Sequence, residues 1–159
     1  MFDECGNLNY SAITLRKYLE MQEDIKAYAD EPDAINAAMF YHLCGLTPEI
    51  ISKIDTNTYT QIRNQLHSFI NKTDWQLKRF IHIDGVEYGF EPNLSEITYG
   101  AYLDLSKLTT IEINQDWSKV MAILYRPVKR KLGKLYEIEA YTGREENEHW
   151  LDVGMDMHF

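Results

Sequence analysis

Apolar residues in the first half of the chain recur at the three- and four-residue spacing of amphipathic helices. This spacing predicts a first helix over 14–30, which ends there because the residue before Pro32 avoids helical backbone angles. Asp33 is suited to cap a second helix, since its carboxylate can accept a hydrogen bond from the first turn. That helix is predicted to carry apolar residues as far as Leu43 and to end at Gly45, which adopts left-handed angles without strain.

Two more helices are predicted before residue 73. Thr47 and Pro48 combine a capping hydroxyl with a proline at the first helical position, which predicts a short helix. Asp55 opens a longer helix that has one apolar face. The residues of that face are Tyr59, Ile62, Leu66, Phe69 and Ile70. Residues 1–73 are therefore expected to be mostly helical.

The pattern changes after residue 79 from helical periodicity to short runs of β-forming residues. Phe80–Ile83 and Val86–Phe90 flank the dipeptide Asp84-Gly85, which tolerates the positive φ angles of a tight turn. These two runs therefore predict a β-hairpin.

The remainder of the chain is predicted to combine helices with a second hairpin. The predicted elements are helices over 99–108 and 116–125, a hairpin that pairs 128–131 with 135–141, and one or two helical turns within 144–150. No linker rich in proline, glycine or serine divides the chain. The sequence thus predicts an α+β fold in a single domain over 1–159. Residues 1–73 form a mostly helical half, and residues 74–159 form a half with two β-hairpins and two to three helices.

Three of the predicted helices begin through the same local device. An apolar residue precedes a capping Thr or Asp, and a tyrosine follows four residues after the cap, which is the geometry of a hydrophobic staple. The three sets are Ile13, Thr14 and Tyr18; Ile54, Asp55 and Tyr59; and Ile97, Thr98 and Tyr102. The first and third sets also agree in the residues that follow, so internal duplication stays open beside convergent capping. In either case these residues are expected to build structure.

Composition narrows the classes of partner. A net charge of −9 repels phosphate backbones at long range and argues against nucleic acid as the main partner. The apolar runs fall far short of the ~20 residues that cross a bilayer, so no membrane partner is expected. Cys5 and Cys44 lack the close spacing of a metal or redox motif, which favours a reducing cytoplasm.

The common catalytic motifs are missing from the sequence, including the phosphate-binding glycine loop and the His-Glu-x-x-His helix. Side chains that could hold a metal ion are Glu145, His149, Asp152, Asp156 and His158. Acidic segments of this kind are usually solvated, and no metal site is predicted. His82 beside Asp84 could serve as a general base, but no nucleophile is identifiable near it. We therefore expect no enzymatic activity and no cofactor.

One stretch of this acidic chain concentrates positive charge and has aromatic residues close by. The candidate partner contacts are Arg126, Lys129, Arg130, Lys131 and Lys134, with Tyr125, Tyr136 and Trp150. The basic residues fit three interpretations: a solvated hairpin, contact with an acidic protein surface, or a grip on nucleic acid phosphates. The chain has 11 Tyr, 3 Trp and 6 Phe, more than a core of this size needs. Because Tyr and Trp are favoured at interfaces, some of them are expected to meet a protein partner.

Several motifs follow one another in a characteristic order along the chain. They are 13–20; 45–49 followed by 55–69; 96–104; and 121–127 leading to 136–141. This order resembles that of the tail assembly chaperones of tailed bacteriophages. The shared residues concern helix starts and packing, and they touch most of the chain. In that family the segment similar to 150–157 leads into a further apolar helix, whereas this sequence stops at Phe159.

The resemblance implies a factor in the cytoplasm of an infected bacterium that binds an aggregation-prone virion protein, such as the tape measure, before assembly. It supplies no active-site residues. Two other functions stay open. One is a structural protein of the neck, tail or connector of the virion, and the other is a phage inhibitor of a host system. A homo-oligomer is compatible with each of them.

Overall fold

The computed structural model describes residues 2–74, 76–108, 113–143 and 146–158. The helices are α1 (Leu15–Ala27), α2 (Pro32–Cys44), α3 (Pro48–Ile51), α4 (Thr56–Ile70), α5 (Tyr99–Ser106), α6 (Trp117–Leu124), α7 (Glu148–Leu151) and α8 (Met155–His158). The strands are β1 (Phe80–Ile83), β2 (Val86–Phe90), β3 (Tyr125–Leu132) and β4 (Leu135–Ile138). The predicted α+β class is confirmed.

The chain forms two compact units. One consists of Met1–Gln76 together with Gly154–Phe159, and the other of Leu77–Val153. The first unit contains α1–α4 and α8, and the second contains the four strands with α5–α7. The single domain over 1–159 stays a prediction. The sequence pattern gave no sign that residues after 153 belong with the helical part of the chain.

The first unit has an apolar core between its helices. Its buried residues include Leu15, Leu19, Met39, Leu43 and Leu66. Aromatic side chains complete this core: Phe40 stacks on Tyr59 with 5.0 Å between ring centroids, and Phe69 meets the edge of Tyr18 at 6.0 Å. The predicted apolar face of α4 is thus directed inward at Leu66 and Phe69.

The segment that opens α8 is held against the start of α1. The Met155 N–H donates a hydrogen bond of 2.7 Å to the Ile13 carbonyl oxygen, and Gly154 forms a β-bridge with Thr14. A Cβ atom at Gly154 would lie 2.5 Å from the Ser11 carbonyl oxygen, well inside van der Waals contact. Only glycine fits this close backbone approach.

The ends of α1 and α2 differ in part from the prediction. The α1 helix stops at Ala27, three residues early, because Glu31 serves as the N-cap of α2 and the residues between connect the helices. Asp33 is not the cap that the sequence predicted. Pro32 takes the first helical position, which its fixed φ angle suits, and Asp33 lies within the first turn. Gly45 ends α2 with φ of 66°, as predicted.

The repeated device at helix starts is visible in the capping hydrogen bonds. Thr14 accepts from the Lys17 N–H at 3.4 Å, and Thr98 accepts from the Ala101 N–H at 3.2 Å. Asp55 caps α4 in the same way. The following tyrosines differ: Tyr18 is buried, Tyr59 half-buried and Tyr102 exposed. The same local sequence therefore begins helices that pack to different depths.

Removing either threonine cap should weaken its helix. Thr14→Ala and Thr98→Ala are each expected to lower the free energy of unfolding by about 1 kcal/mol, because a first-turn N–H loses its acceptor. Thermal denaturation followed by circular dichroism measures the change. Thr73→Ala, outside the helices, is the matched control. Wild-type melting curves for both cap variants would contradict this assignment.

The second unit is built on one antiparallel sheet with strand order β1-β2-β3-β4. The predicted first hairpin is confirmed, and Asp84 and Gly85 turn it with φ angles of 50° and 80°. The predicted second hairpin is also confirmed, but β3 begins at Tyr125 and β4 ends at Ile138. The earlier start of β3 follows from its pairing with β2, in which Gly89 lies opposite Arg126.

The side chains of β4 close over β2. A Cβ atom at Gly89 would lie 2.9 Å from Ile138 Cγ2 and 3.0 Å from the Tyr136 ring, so glycine leaves room for both. The Tyr136 hydroxyl donates to the Phe90 carbonyl oxygen at 2.6 Å. A register shift between Val128 and Arg130 marks the irregularity in the β3–β4 ladder.

Candidate interaction surface

Three of the predicted partner contacts are buried within the second unit. Arg126 is the clearest case. Its Nε donates to the Glu139 carbonyl oxygen at 2.7 Å, one terminal nitrogen donates to the Ile123 carbonyl oxygen, and the other meets Glu91 Oε2 at 2.7 Å. All three directions of the guanidinium are thus satisfied inside the unit, and the prediction that Arg126 meets a partner is wrong.

Tyr125 and Trp150 are also corrected from partner contacts to core residues. The Tyr125 hydroxyl donates to the Lys78 carbonyl oxygen at 2.6 Å, and burial raises the pKa of this phenol to about 12. Trp150 has no exposed surface, and its ring lies 5.3 Å from that of Tyr88 and 5.7 Å from that of Tyr125. Both side chains are buried, and their rings lie against each other in the core of the second unit.

The remaining cations of β3 lie at the surface and have carboxylate neighbours. Glu137 on β4 lies 3.0 Å from Arg130 and 3.8 Å from Lys129. Lys131 lies 3.2 Å from Glu87, and its ammonium stands 3.7 Å from the centroid of the Phe80 ring. The strand is therefore less positive than its sequence indicates, and the structure favours the interpretation as a solvated hairpin for these three cations.

A groove of about 490 Å³ opens beside the start of β4. Its apolar lining consists of Leu77, Phe90, Pro92, Leu94, Leu135 and Tyr136, which we name the leucine groove. All three leucines of this lining are unusually exposed: Leu135 at 76%, Leu77 at 67% and Leu94 at 53%. Arg79 and Lys134 line the same groove. Of the predicted partner contacts, Lys134 and Tyr136 are thus brought to one surface.

Comparisons with protein-family models, curated proteins and solved structures find no match.

A second exposed apolar feature lies on α5. Tyr99 and Tyr102 stack with 6.4 Å between their ring centroids, and both are exposed. Leu103 beside them is exposed as well. The predicted surplus of aromatic residues is therefore placed partly at the surface and partly, as for Tyr125 and Trp150, in the core.

A smaller cavity of about 270 Å³ lies between α5 and α6. Asp104 borders it, and its carboxylate accepts a hydrogen bond of 2.5 Å from the Tyr141 hydroxyl and lies 3.3 Å from the Lys107 ammonium. The hydrogen bond from the Tyr141 hydroxyl is the main cause that holds the pKa of Asp104 below its ordinary value, and the Lys107 ammonium lowers this pKa further. Lys119, on the opposite side, is paired with Asp116 at 2.7 Å. The charges around this cavity are satisfied locally.

The described candidates for metal binding do not form a cluster of three ligands. Across the part of the chain that the structure describes, no three His, Cys, Asp or Glu side chains converge as metal ligands would. Glu145 lies outside the described residues. His82 faces Glu87 across the hairpin at 3.2 Å, rather than Asp84 as the sequence suggested, because these two residues are paired in the strand register. None of the described helices combines the length and apolar character needed to cross a membrane.

The two cysteines should differ in reactivity. Burial raises the pKa of the Cys44 thiol to about 11, whereas Cys5 is exposed. Because the thiolate is the reactive form, iodoacetamide at pH 8 is expected to modify Cys44 at least about tenfold more slowly than Cys5. Mass spectrometry of the digested protein measures both rates. In denaturant the two rates should become similar, and equal rates in the folded protein would contradict the burial of Cys44.

Of the residues that form the leucine groove, sequence reasoning named Tyr136 and missed the three leucines, Phe90 and Pro92. Leu132 and Leu135 flank the turn of the second hairpin and lie opposite each other in the strand register. An apolar pair beside a turn of small and charged residues was the one signal that could have pointed to this surface, since turns are usually solvated.

Proposed function

We propose that this chain is a non-enzymatic protein-binding factor that shields an apolar segment of a client protein. The observation that carries the proposal is the exposure of large apolar side chains in groups. Leu77, Leu94 and Leu135 share one groove, and Tyr99 and Tyr102 share one helix. Grouped apolar exposure of this kind is typical of protein interaction sites.

We further propose that the client is a component of a bacteriophage virion, with the chain chaperoning or scaffolding a tail protein such as the tape measure. The similarity of its motif order to tail assembly chaperones supports this choice. The net charge of −9 suits the role, because negative charge keeps a complex with an apolar client dispersed.

Affinity capture of the tagged chain from phage-infected cells, followed by mass spectrometry, tests the proposal. We expect an apolar virion protein to be recovered before particles form, and we expect purified particles to lack the chain. A chain found in the particles would instead be a structural virion protein. Recovery of the chain alone at every stage of infection would contradict client binding.

A further inference from the structure

We infer that the leucine groove binds an extended, apolar segment of a partner protein that carries acidic residues at its ends. The inference rests on the proposed function, since it names the surface and the class of segment through which a client would be held. It makes the groove, rather than the basic strand β3, the main contact surface of the second unit.

The apolar part of the groove has the properties of an anchor site. More than half of the surface of each leucine in the groove is exposed to solvent. The aromatic rings of Phe90 and Tyr136, which are half-buried, line the groove beside them. An apolar side chain that enters such a site removes apolar surface of both partners from water, which favours association.

The charges of the groove indicate an acidic occupant. The cations of β3 each have a glutamate within 4 Å. Arg79 and Lys134 differ from them, since neither has an ion pair with any described carboxylate. Glu91, the acidic residue in the lining, is already paired with Arg126. The groove therefore presents two cations whose natural complement is a carboxylate on the incoming segment.

The position of β4 indicates that the occupant is extended. β4 is an edge strand, with β3 on one side and no further strand beyond it in the described residues. Leu132 and Leu135 are paired on either side of a two-residue turn, and in such a hairpin the pair beside the turn is the hydrogen-bonded one. Pairs along an antiparallel ladder alternate, so the next pair, Lys131 and Tyr136, is not hydrogen-bonded. The backbone N–H and C=O of Tyr136 are therefore directed away from β3. A strand added at this edge would bond these groups beside Leu135 and Tyr136, which line the groove.

A synthetic peptide probe tests this arrangement directly. The probe is a fluorescein-labelled decapeptide with three leucine-threonine repeats between two glutamates at each end, and fluorescence anisotropy measures its binding to the full chain. Leu135→Asp, and separately Arg79→Glu combined with Lys134→Glu, should each raise Kd by about tenfold or more. Lysines in place of the four glutamates should weaken binding to the wild-type chain in the same way.

Matched controls separate the groove from general surface effects. Val86→Asp places a charge on an exposed residue at the end of β2 away from the groove. At the rise per residue of a β-strand, this position lies about 13 Å from Phe90. Lys53→Glu reverses an exposed charge in the first unit. Both should bind the probe with wild-type Kd. A probe methylated on alternate backbone nitrogens should bind more weakly, because it lacks donors for β4.

The outcomes distinguish the groove from the proposed function. Probe binding that the groove variants leave unchanged would overturn the inference, while client binding would stand on another surface such as α5. If the probe does not bind but a virion protein is still captured from infected cells, the inference is likewise overturned and the proposed function stands. Absence of both would overturn the inference and the function together. Self-association that Leu135→Asp abolishes in analytical ultracentrifugation would assign the groove to a second copy and overturn the inference.

Discussion

Replacing Arg126 with methionine should lower the free energy of unfolding by about 3–5 kcal/mol, because the change leaves the largely covered carboxylate of Glu91 without its partner. The carbonyl oxygens of Ile123 and Glu139 would lose their donors as well. Urea denaturation followed by tryptophan fluorescence measures the loss. Arg126→Lys should recover little of it, since an ammonium cannot reach three acceptors with the fixed geometry of a guanidinium.

Arg130→Met is the matched control for this prediction. Arg130 lies four residues further along β3, is exposed, and pairs with Glu137 at the surface. An exposed ion pair contributes little, so this variant should stay within about 0.5 kcal/mol of the wild type. Two variants of similar stability would show that Arg126 is not the buried centre of the unit and would reopen its role as a partner contact.

Trp150→Ala should lower the free energy of unfolding by about 3–5 kcal/mol, the usual loss when a buried tryptophan leaves a cavity. The indole is completely buried and lies against the rings of Tyr88 and Tyr125. Thermal denaturation should show the loss, and near-ultraviolet circular dichroism should show a weaker aromatic signal.

A smaller side chain at the same position provides the control. Trp150→Phe fills part of the cavity and should lose clearly less stability than Trp150→Ala. Tyr99→Ala truncates an exposed aromatic residue and should change stability by no more than about 0.5 kcal/mol. A stable Trp150→Ala variant that fails to capture its client would show that this residue belongs to an interface.

Local chemistry predicted most elements of the fold. Thr14 and Asp55 cap their helices, and Asp84-Gly85 turns the first hairpin, because in each case the residues that decide the structure are neighbours in sequence. The pairing of Gly89 with Arg126 joins both hairpins into one sheet. It depends on residues 37 positions apart, for which no periodicity in either segment gives a signal.

The same limit explains the errors at the candidate surface. The sequence left three interpretations of the basic run open, since Glu91 and Glu87, the carboxylates that balance Arg126 and Lys131, stand 35 and 44 positions away in sequence. The predicted helix over 116–125 placed Arg126 just after a helix end, in front of Pro127. In the structure the helix ends at Leu124, and the strand carries Arg126 into the interior. Lys134 was predicted as a contact without the leucines that surround it.

The hydrogen bond between Met155 and Ile13 has a consequence for how the chain folds as it is synthesised. The helical unit cannot be completed from its first 76 residues, because the piece that bonds beside Thr14 is made about 80 residues later. At about 5–20 residues per second, the ribosome needs several seconds to supply it. The residues of the second unit, Leu77–Val153, are all synthesised during that interval, so the helical unit starts earlier and is completed later.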